Sequence, residues 1–118
     1  MDGNNNSIKI KNVLLKFREA AVKHAEATEI GDSKSANKNY AIISKAVVTL
    51  KEMNNMEYLN ELLDDGSIGA RLWAATYLLP ISEKKAIRVL QKIATGNDIH
   101  SLTAETIISE WKNGHLLL

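Results

Sequence analysis

The chain has 118 residues and a net charge of +1, with 45% hydrophobic and 25% charged residues. This usage is typical of one globular domain that can bury its own core, and the small net charge argues against bulk attraction to nucleic acid or anionic membranes. The lack of cysteine excludes disulfides and thiolate chemistry. No apolar run reaches the roughly 18–20 residues that span a bilayer, and no signal-peptide pattern starts the chain, so we expect a cytoplasmic protein without membrane association.

Two long helices are predicted in the first half of the chain. Residues 1–7 are polar and predict a flexible tail, which leaves residues 8–118 as a single helical domain. Apolar residues recur at the helical period from Ile8 to Ile30 and from Lys34 to Met53, with Gly31 as the stop between them. The residues expected to face the core are Ile10, Leu14, Phe17, Ala21 and His24 on the first helix and Ala36, Tyr40, Ile43, Val47 and Leu50 on the second.

Four shorter helices are predicted in the second half, and no segment alternates strictly enough to predict a strand. Their bounds are Met56 to Leu63, Ser67 to Leu79, Glu83 to Thr95 and Ile99 to Lys112. Six helices with short connections predict an all-α fold of three stacked antiparallel helical hairpins.

The stretch around the fourth helix carries a resemblance to a known architecture. An acidic turn, Asp64-Asp65-Gly66, is followed by Arg71 and then by Ala74, Ala75 and Leu78. This pattern resembles the second helix of a HEAT-type repeat, and the runs RLWAATYLLP and ISEWKNG resemble a small bacterial family of HEAT-like proteins that has no assigned function. The resemblance implies a short HEAT-like α-solenoid in which Arg71 forms a structural ion pair with Asp64 or Asp65. A buried guanidinium needs such a partner.

The sequence contains no pattern that carries catalysis. His24, His100 and His115 fall on different elements, and neither a zinc-protease motif, a phosphate-binding glycine loop nor a nucleophile elbow is present. The acidic turn is too short for a calcium-binding EF-hand. We therefore expect no enzyme activity, cofactor or metal. His24 is predicted to lie in the core and His100 in solvent.

A partner-binding surface is predicted on the fourth helix. Trp73, Thr76 and Tyr77 lie opposite the Arg71/Ala75/Leu78 line, and aromatic side chains are the types that anchor protein interfaces. The helical phase alone leaves open whether Trp73 is exposed or covered by the second and sixth helices. In a HEAT-like stack the polar rim around these residues would be Lys38, Lys45, Thr106 and Glu110.

The sequence therefore predicts a non-enzymatic protein–protein interaction module of the bacterial cytoplasm, of immunity or adaptor type, with an unidentified protein partner. The alternative is a nucleic-acid-binding module that uses two basic stripes, Lys84/Arg88/Lys92 and Lys34/Lys38/Lys45. The apolar residues Leu116–Leu118 predict either a cap on the helical stack or an exposed docking strip.

Overall fold

The structure, a computed structural model, describes the backbone of residues 2–118 and the side chains of residues 6–118. It is all-α, and its described part contains no strand. The elements are α1 (Asp2–Glu29), α2 (Ser33–Glu52), a 3₁₀ helix (Met56–Leu62), α3 (Ile68–Leu78), α4 (Glu83–Ala94) and α5 (Ile99–Lys112). The chain divides into two compact units, Met1–Tyr58 and Leu59–Leu118. The prediction of one domain over residues 8–118 is not tested by this division and stays a prediction.

The first unit is a hairpin of two long helices, α1 and α2, which pack along each other. Gly31 ends α1 with a φ of 72°, a conformation that glycine adopts without strain. The N–H groups of Gly31 and Asp32 return to the carbonyl oxygens of Thr28 and Ala27, as in a Schellman turn. The Asp32 carboxylate accepts a hydrogen bond of 3.0 Å from the Ser35 N–H and so starts α2.

Most of the residues predicted to face the core of this unit do so. Ile10, Leu14, Phe17 and Ala21 on α1 are buried, as are Ile43, Val47 and Leu50 on α2. The side chain of Tyr40 is 47% exposed, which corrects the prediction that it faces inward. Tyr40 lies at the polar end of its helix, where Asn37 and Lys38 are exposed as well.

The predicted flexible tail overlaps the start of α1, and its flexibility stays a prediction. Residues 2–7 form the first turns of α1, and Met1 lies outside the described residues. A helix of 28 residues continues through this polar stretch because no proline or helix-ending turn interrupts it.

The second unit is built around α3, which packs against α4, while α4 packs against α5. Eight of the eleven residues of α3 are buried, because this helix is apolar on nearly every side. The Ser67 hydroxyl caps α3 and the Asp98 carboxylate caps α5. The helix predicted from Met56 is a 3₁₀ helix, a form used for short connecting segments.

The sequence also predicted the environments of His100 and of the C-terminal leucines. His100 is buried, although its place in the first turn of α5 predicted a solvated residue. The side chain of Leu117 is 94% exposed, while Leu116 and Leu118 are half-buried, so the choice between a cap and a docking strip stays open.

None of the helices within the described residues combines the length and the apolar character that crossing a membrane requires.

Candidate functional site

The predicted aromatic pair is present on α3, but it does not form an exposed surface. The rings of Trp73 and Tyr77 stack, with centroids 6.1 Å apart and planes inclined by 23°. Trp73 is half-buried, whereas Tyr77 is 8% and Thr76 4% exposed. The prediction that Thr76 and Tyr77 face solvent is therefore wrong. This side of α3 is not exposed, since the helix is buried around most of its circumference. The Thr76 hydroxyl donates to the Leu72 carbonyl oxygen within the helix.

The predicted polar rim is exposed but divided between the two units. Thr106 and Glu110 are exposed on α5 of the second unit, and Lys38 and Lys45 are exposed on α2 of the first. Thr106 donates its hydroxyl hydrogen to the Leu102 carbonyl oxygen within its own helix. A role of these residues in binding a partner stays a prediction.

Arg71 contacts the acidic turn through the backbone of Asp65. Its Nη1 donates a hydrogen bond of 2.6 Å to the backbone carbonyl oxygen of Asp65. Arg71 is half-buried, and this contact is a charge-assisted hydrogen bond to a main-chain oxygen. The ion pair with Asp64 or Asp65 stays a prediction. Asp65 Oδ1 accepts the Ser67 N–H at 2.8 Å. Asp64 is exposed.

Arg71 and both aspartates line a polar cleft of about 530 Å³ in the second unit, together with residues at the end of α4 and the start of α5. One wall holds Asp98, whose carboxylate accepts the Ser101 N–H at 3.0 Å and the Ser101 hydroxyl at 3.1 Å. The Ser101 backbone N–H is the main cause of the lowered pKa of Asp98. Because these polar groups cap helices and brace a turn, the cleft has a structural explanation.

No cluster of three potential metal-ligating side chains occurs among the described residues.

A second opening lies along the α1–α2 hairpin, and we call it the α1–α2 groove. Its volume is about 420 Å³. It is lined by Val13, Lys16, Glu19, Ala20 and Lys23 of α1 and by Asn39, Ile42, Lys45, Ala46 and Thr49 of α2. The spacing of these positions places one lining residue on nearly every turn of each helix, so the groove follows the helix axes.

The floor of the groove is apolar, and its polar groups bond within their own helix. Ala20 and Ala46 are buried and Val13 is half-buried, while Ile42 is 38% exposed. Asn39 is buried and donates its Nδ2 hydrogen to the Ser35 carbonyl oxygen at 2.9 Å. The Thr49 hydroxyl donates to the Lys45 carbonyl oxygen at 3.1 Å.

The rim of the groove is charged and mostly basic. Lys16, Lys23 and Lys45 are exposed around it, with Glu19 as its acidic residue. These four side chains form no ion pair with any residue in the described part of the chain. An apolar floor with a charged rim is the arrangement that protein interfaces use.

The sequence interpretation found only one residue of this groove, Lys45. Lys16, Glu19 and Lys23 are exposed on α1, as their helical phase opposite Leu14 and Phe17 indicates. The spacing of one helix, however, does not show which residues of the other helix lie beside it. The available signal was a pair of alanines, Ala20 and Ala46, at positions where larger apolar side chains would have filled the space.

Comparison with known proteins adds information on the fold alone. No family model and no curated protein matches the sequence. Among solved structures, the crystal structure of the protein RPA1889 from Rhodopseudomonas palustris CGA009 matches with a TM-score of 0.83 and 17% sequence identity, over 92% of this chain and 93% of that one. The chain therefore shares its all-helical fold with a bacterial protein, and the HEAT-like resemblance stays a prediction.

Proposed function

We propose that the chain is a non-enzymatic protein-binding module of the bacterial cytoplasm, of adaptor or immunity type, which holds a helix of its partner in the α1–α2 groove. The observation that carries the proposal is the open apolar floor between two long helices, bordered by lysines. A helix that enters a groove between two helices buries its apolar face there, which is a recurrent mode of peptide recognition.

A HEAT-like architecture is part of the same proposal. Its support is the pair of helical hairpins, α1–α2 and α4–α5, each formed by consecutive helices with a short connection. The segment between them departs from the repeat pattern because its first element is a 3₁₀ helix. The proposal is therefore a HEAT-like module with an irregular second repeat.

The test places a photo-crosslinking amino acid at Ile42, which lines the groove, and at Val48, an exposed apolar control on the same helix outside it. We expect the Ile42 position to crosslink in cells to one discrete protein, which is then purified and titrated with the chain. Ile42→Glu should weaken that interaction at least tenfold, because it places a carboxylate on the apolar floor, while Val48→Glu should not. Equal effects of the two substitutions would overturn the groove as the site.

Nucleic-acid binding is the second candidate, and the charge of α4 favours it. Lys84, Lys85, Arg88 and Lys92 are all exposed on this one helix. If they contact four phosphates of duplex DNA, the logarithm of the binding constant should fall with the logarithm of salt concentration with a slope of about −3.6. The double substitution Lys84→Glu/Arg88→Glu should then abolish DNA binding, while Ile42→Glu should leave DNA binding unchanged. No binding at about 0.15 M salt would reject this candidate.

A further inference from the structure

We infer that the segment held in the α1–α2 groove is an acidic amphipathic helix of about three turns, with two carboxylates spaced two turns apart along its α1-facing edge. This inference rests on the proposed function, because it names the chemistry of the helix that the groove takes.

The length of the groove sets the length of its occupant. Lining residues extend from Val13 to Lys23 on α1 and from Asn39 to Thr49 on α2. At 1.5 Å per residue each wall is about 15 Å long, which matches three helical turns. Because the short turn makes the helices antiparallel, Val13 and Thr49 share one end of the groove and Lys23 and Asn39 share the other.

The middle of the floor favours a helix over an extended strand. Ala20 and Ala46 are small and buried, so an incoming helix axis can approach both helices closely. The floor also offers no unpaired row of backbone N–H and C=O groups of the kind that binds an added strand, because both walls are helical. Small apolar residues on the facing side of the occupant would fill the remaining space.

The rim sets the charge of the occupant and its spacing. Lys16 and Lys23 stand seven residues apart on α1, which is two turns or about 10 Å along the axis. Glu19 lies between them and would repel an acidic side chain at the middle of the occupant's α1-facing edge. Lys45 borders the groove from α2, so the charged groups that line it sum to +2. Carboxylates facing Lys16 and Lys23 satisfy this pattern.

Nucleic acid fits the groove less well than an acidic helix. Its phosphates would meet the lysines, but its chain offers no apolar face for Val13, Ile42 and the two alanines, and Glu19 would repel it. A partner protein of complementary charge is therefore the occupant that both floor and rim support.

The test uses three helix-stapled peptides of about four turns that share one apolar face of leucine and alanine. The first carries glutamate at two edge positions two turns apart, the second carries glutamine there, and the third carries lysine. Each is titrated into the ¹⁵N-labelled full chain, and affinities and shifted amides are recorded. The matched variants are Lys16→Glu/Lys23→Glu, in the groove, and Lys9→Glu/Lys51→Glu, at exposed lysines outside it.

We expect the glutamate peptide to bind at least tenfold more tightly than the glutamine peptide and to shift amides on both walls of the groove. The Lys16→Glu/Lys23→Glu variant should reverse the preference toward the lysine peptide, whereas Lys9→Glu/Lys51→Glu should keep it. All the substituted lysines are exposed, so the variants are expected to fold, and their circular dichroism checks this.

The other outcomes separate the inference from the proposed function. Equal binding of the three peptides in the groove would overturn the acidic partner and leave the protein-binding groove intact. Shifts confined to residues outside the groove, or no binding by any peptide, would overturn both. Concentration-dependent self-association that Lys16→Glu/Lys23→Glu abolishes would make the occupant a second copy of this chain and would also overturn the inference.

Discussion

At the scale of single residues, short polar side chains start three of the helices, and residues with positive φ angles end two of them. Asp32, Ser67 and Asp98 each accept a backbone N–H three residues on and so begin α2, α3 and α5. Gly31 and Asn54 take positive φ angles where α1 and α2 end. These contacts are local, which is why the helix bounds predicted from the sequence differ from the observed ones by at most one residue, apart from the start of α1.

Gly96 is required for a different reason, a close approach to a neighbouring side chain. A Cβ at this position would lie 2.6 Å from the Ser101 hydroxyl oxygen, and Ser101 is buried and bonded to Asp98. We expect Gly96→Ala to lower the free energy of unfolding by about 1–3 kcal/mol, measured by urea denaturation. Gly66→Ala is the control, because nothing lies within 4 Å of its Cβ position. Equal stability of the two variants would contradict the crowding at Gly96.

Asp98 should make stability depend on pH in the acid range. Its pKa in the folded chain is lowered below the usual 3.8, chiefly by the Ser101 N–H, so its ionised form is the one that folding favours. The stabilisation is complete above the pKa of the unfolded chain and is lost as the pH falls through the folded pKa. Asp98→Asn can still cap the helix but cannot ionise. We expect the difference in urea midpoint between wild type and Asp98→Asn to shrink between about pH 6 and about pH 3. The same titration of Asp64→Asn, an exposed carboxylate in the same cleft, is the comparison.

At the scale of the elements, α3 shows that helical phase does not identify an exposed face on a helix that is apolar on nearly every side. The sequence separated an Ala75/Leu78 face from a Trp73/Tyr77 face, but both faces are buried to a large extent. Helical phase identifies a solvent side only when polar residues mark it, and α3 has few. The opposite case is α4, whose exposed basic side chains mark its outer face clearly.

Tyr77 should therefore behave as a core residue. We expect Tyr77→Ala to lower the free energy of unfolding by about 3–5 kcal/mol, because it removes a buried ring that stacks on Trp73. Tyr40→Ala, at a tyrosine that is 47% exposed, should change it by no more than about 0.5 kcal/mol. Thermal and urea denaturation measure both. A Tyr77→Ala variant as stable as Tyr40→Ala would restore the original prediction of an exposed aromatic surface.

The hairpin of α4 and α5 is joined by a hydrogen bond across its open end. Trp111 Nε1 donates to Glu83 Oε2 at 2.8 Å, which connects the last turn of α5 to the first turn of α4. A double-mutant cycle with Trp111→Phe and Glu83→Ala should give a coupling energy of about 0.5–1 kcal/mol, since the bond is charge-assisted but exposed to solvent. A coupling below about 0.2 kcal/mol would show that water replaces the bond without loss.

At the scale of the whole molecule, the comparison with RPA1889 supports the fold and carries no information on the binding surface. A likeness with 17% identity over 92% of the chain means that few side chains are held in common with RPA1889, although the helical pattern is. Burial patterns survive many substitutions as long as size and periodicity are kept, whereas a binding surface depends on particular side chains. The proposed function therefore depends on the lysines and the apolar floor of the α1–α2 groove.

The sequence by itself determined the all-α class, the number of helices and nearly all their ends, because helical period, caps and glycine stops act over a few neighbouring residues. The resemblance to a HEAT-type repeat implied an ion pair between Arg71 and the acidic turn. Arg71 bonds to the backbone of that turn, and the ion pair itself stays a prediction.

Only the tertiary structure decided which faces are open. The α1–α2 groove exists because two helices lie side by side with Ala20 and Ala46 between them, and the period of one helix contains no information about its neighbour. Tyr77 and His100 are buried as well, although the position of each in its helix predicted exposure to solvent. Burial is a property of the folded chain. Two side chains in the same local sequence pattern can therefore differ, one buried and the other exposed.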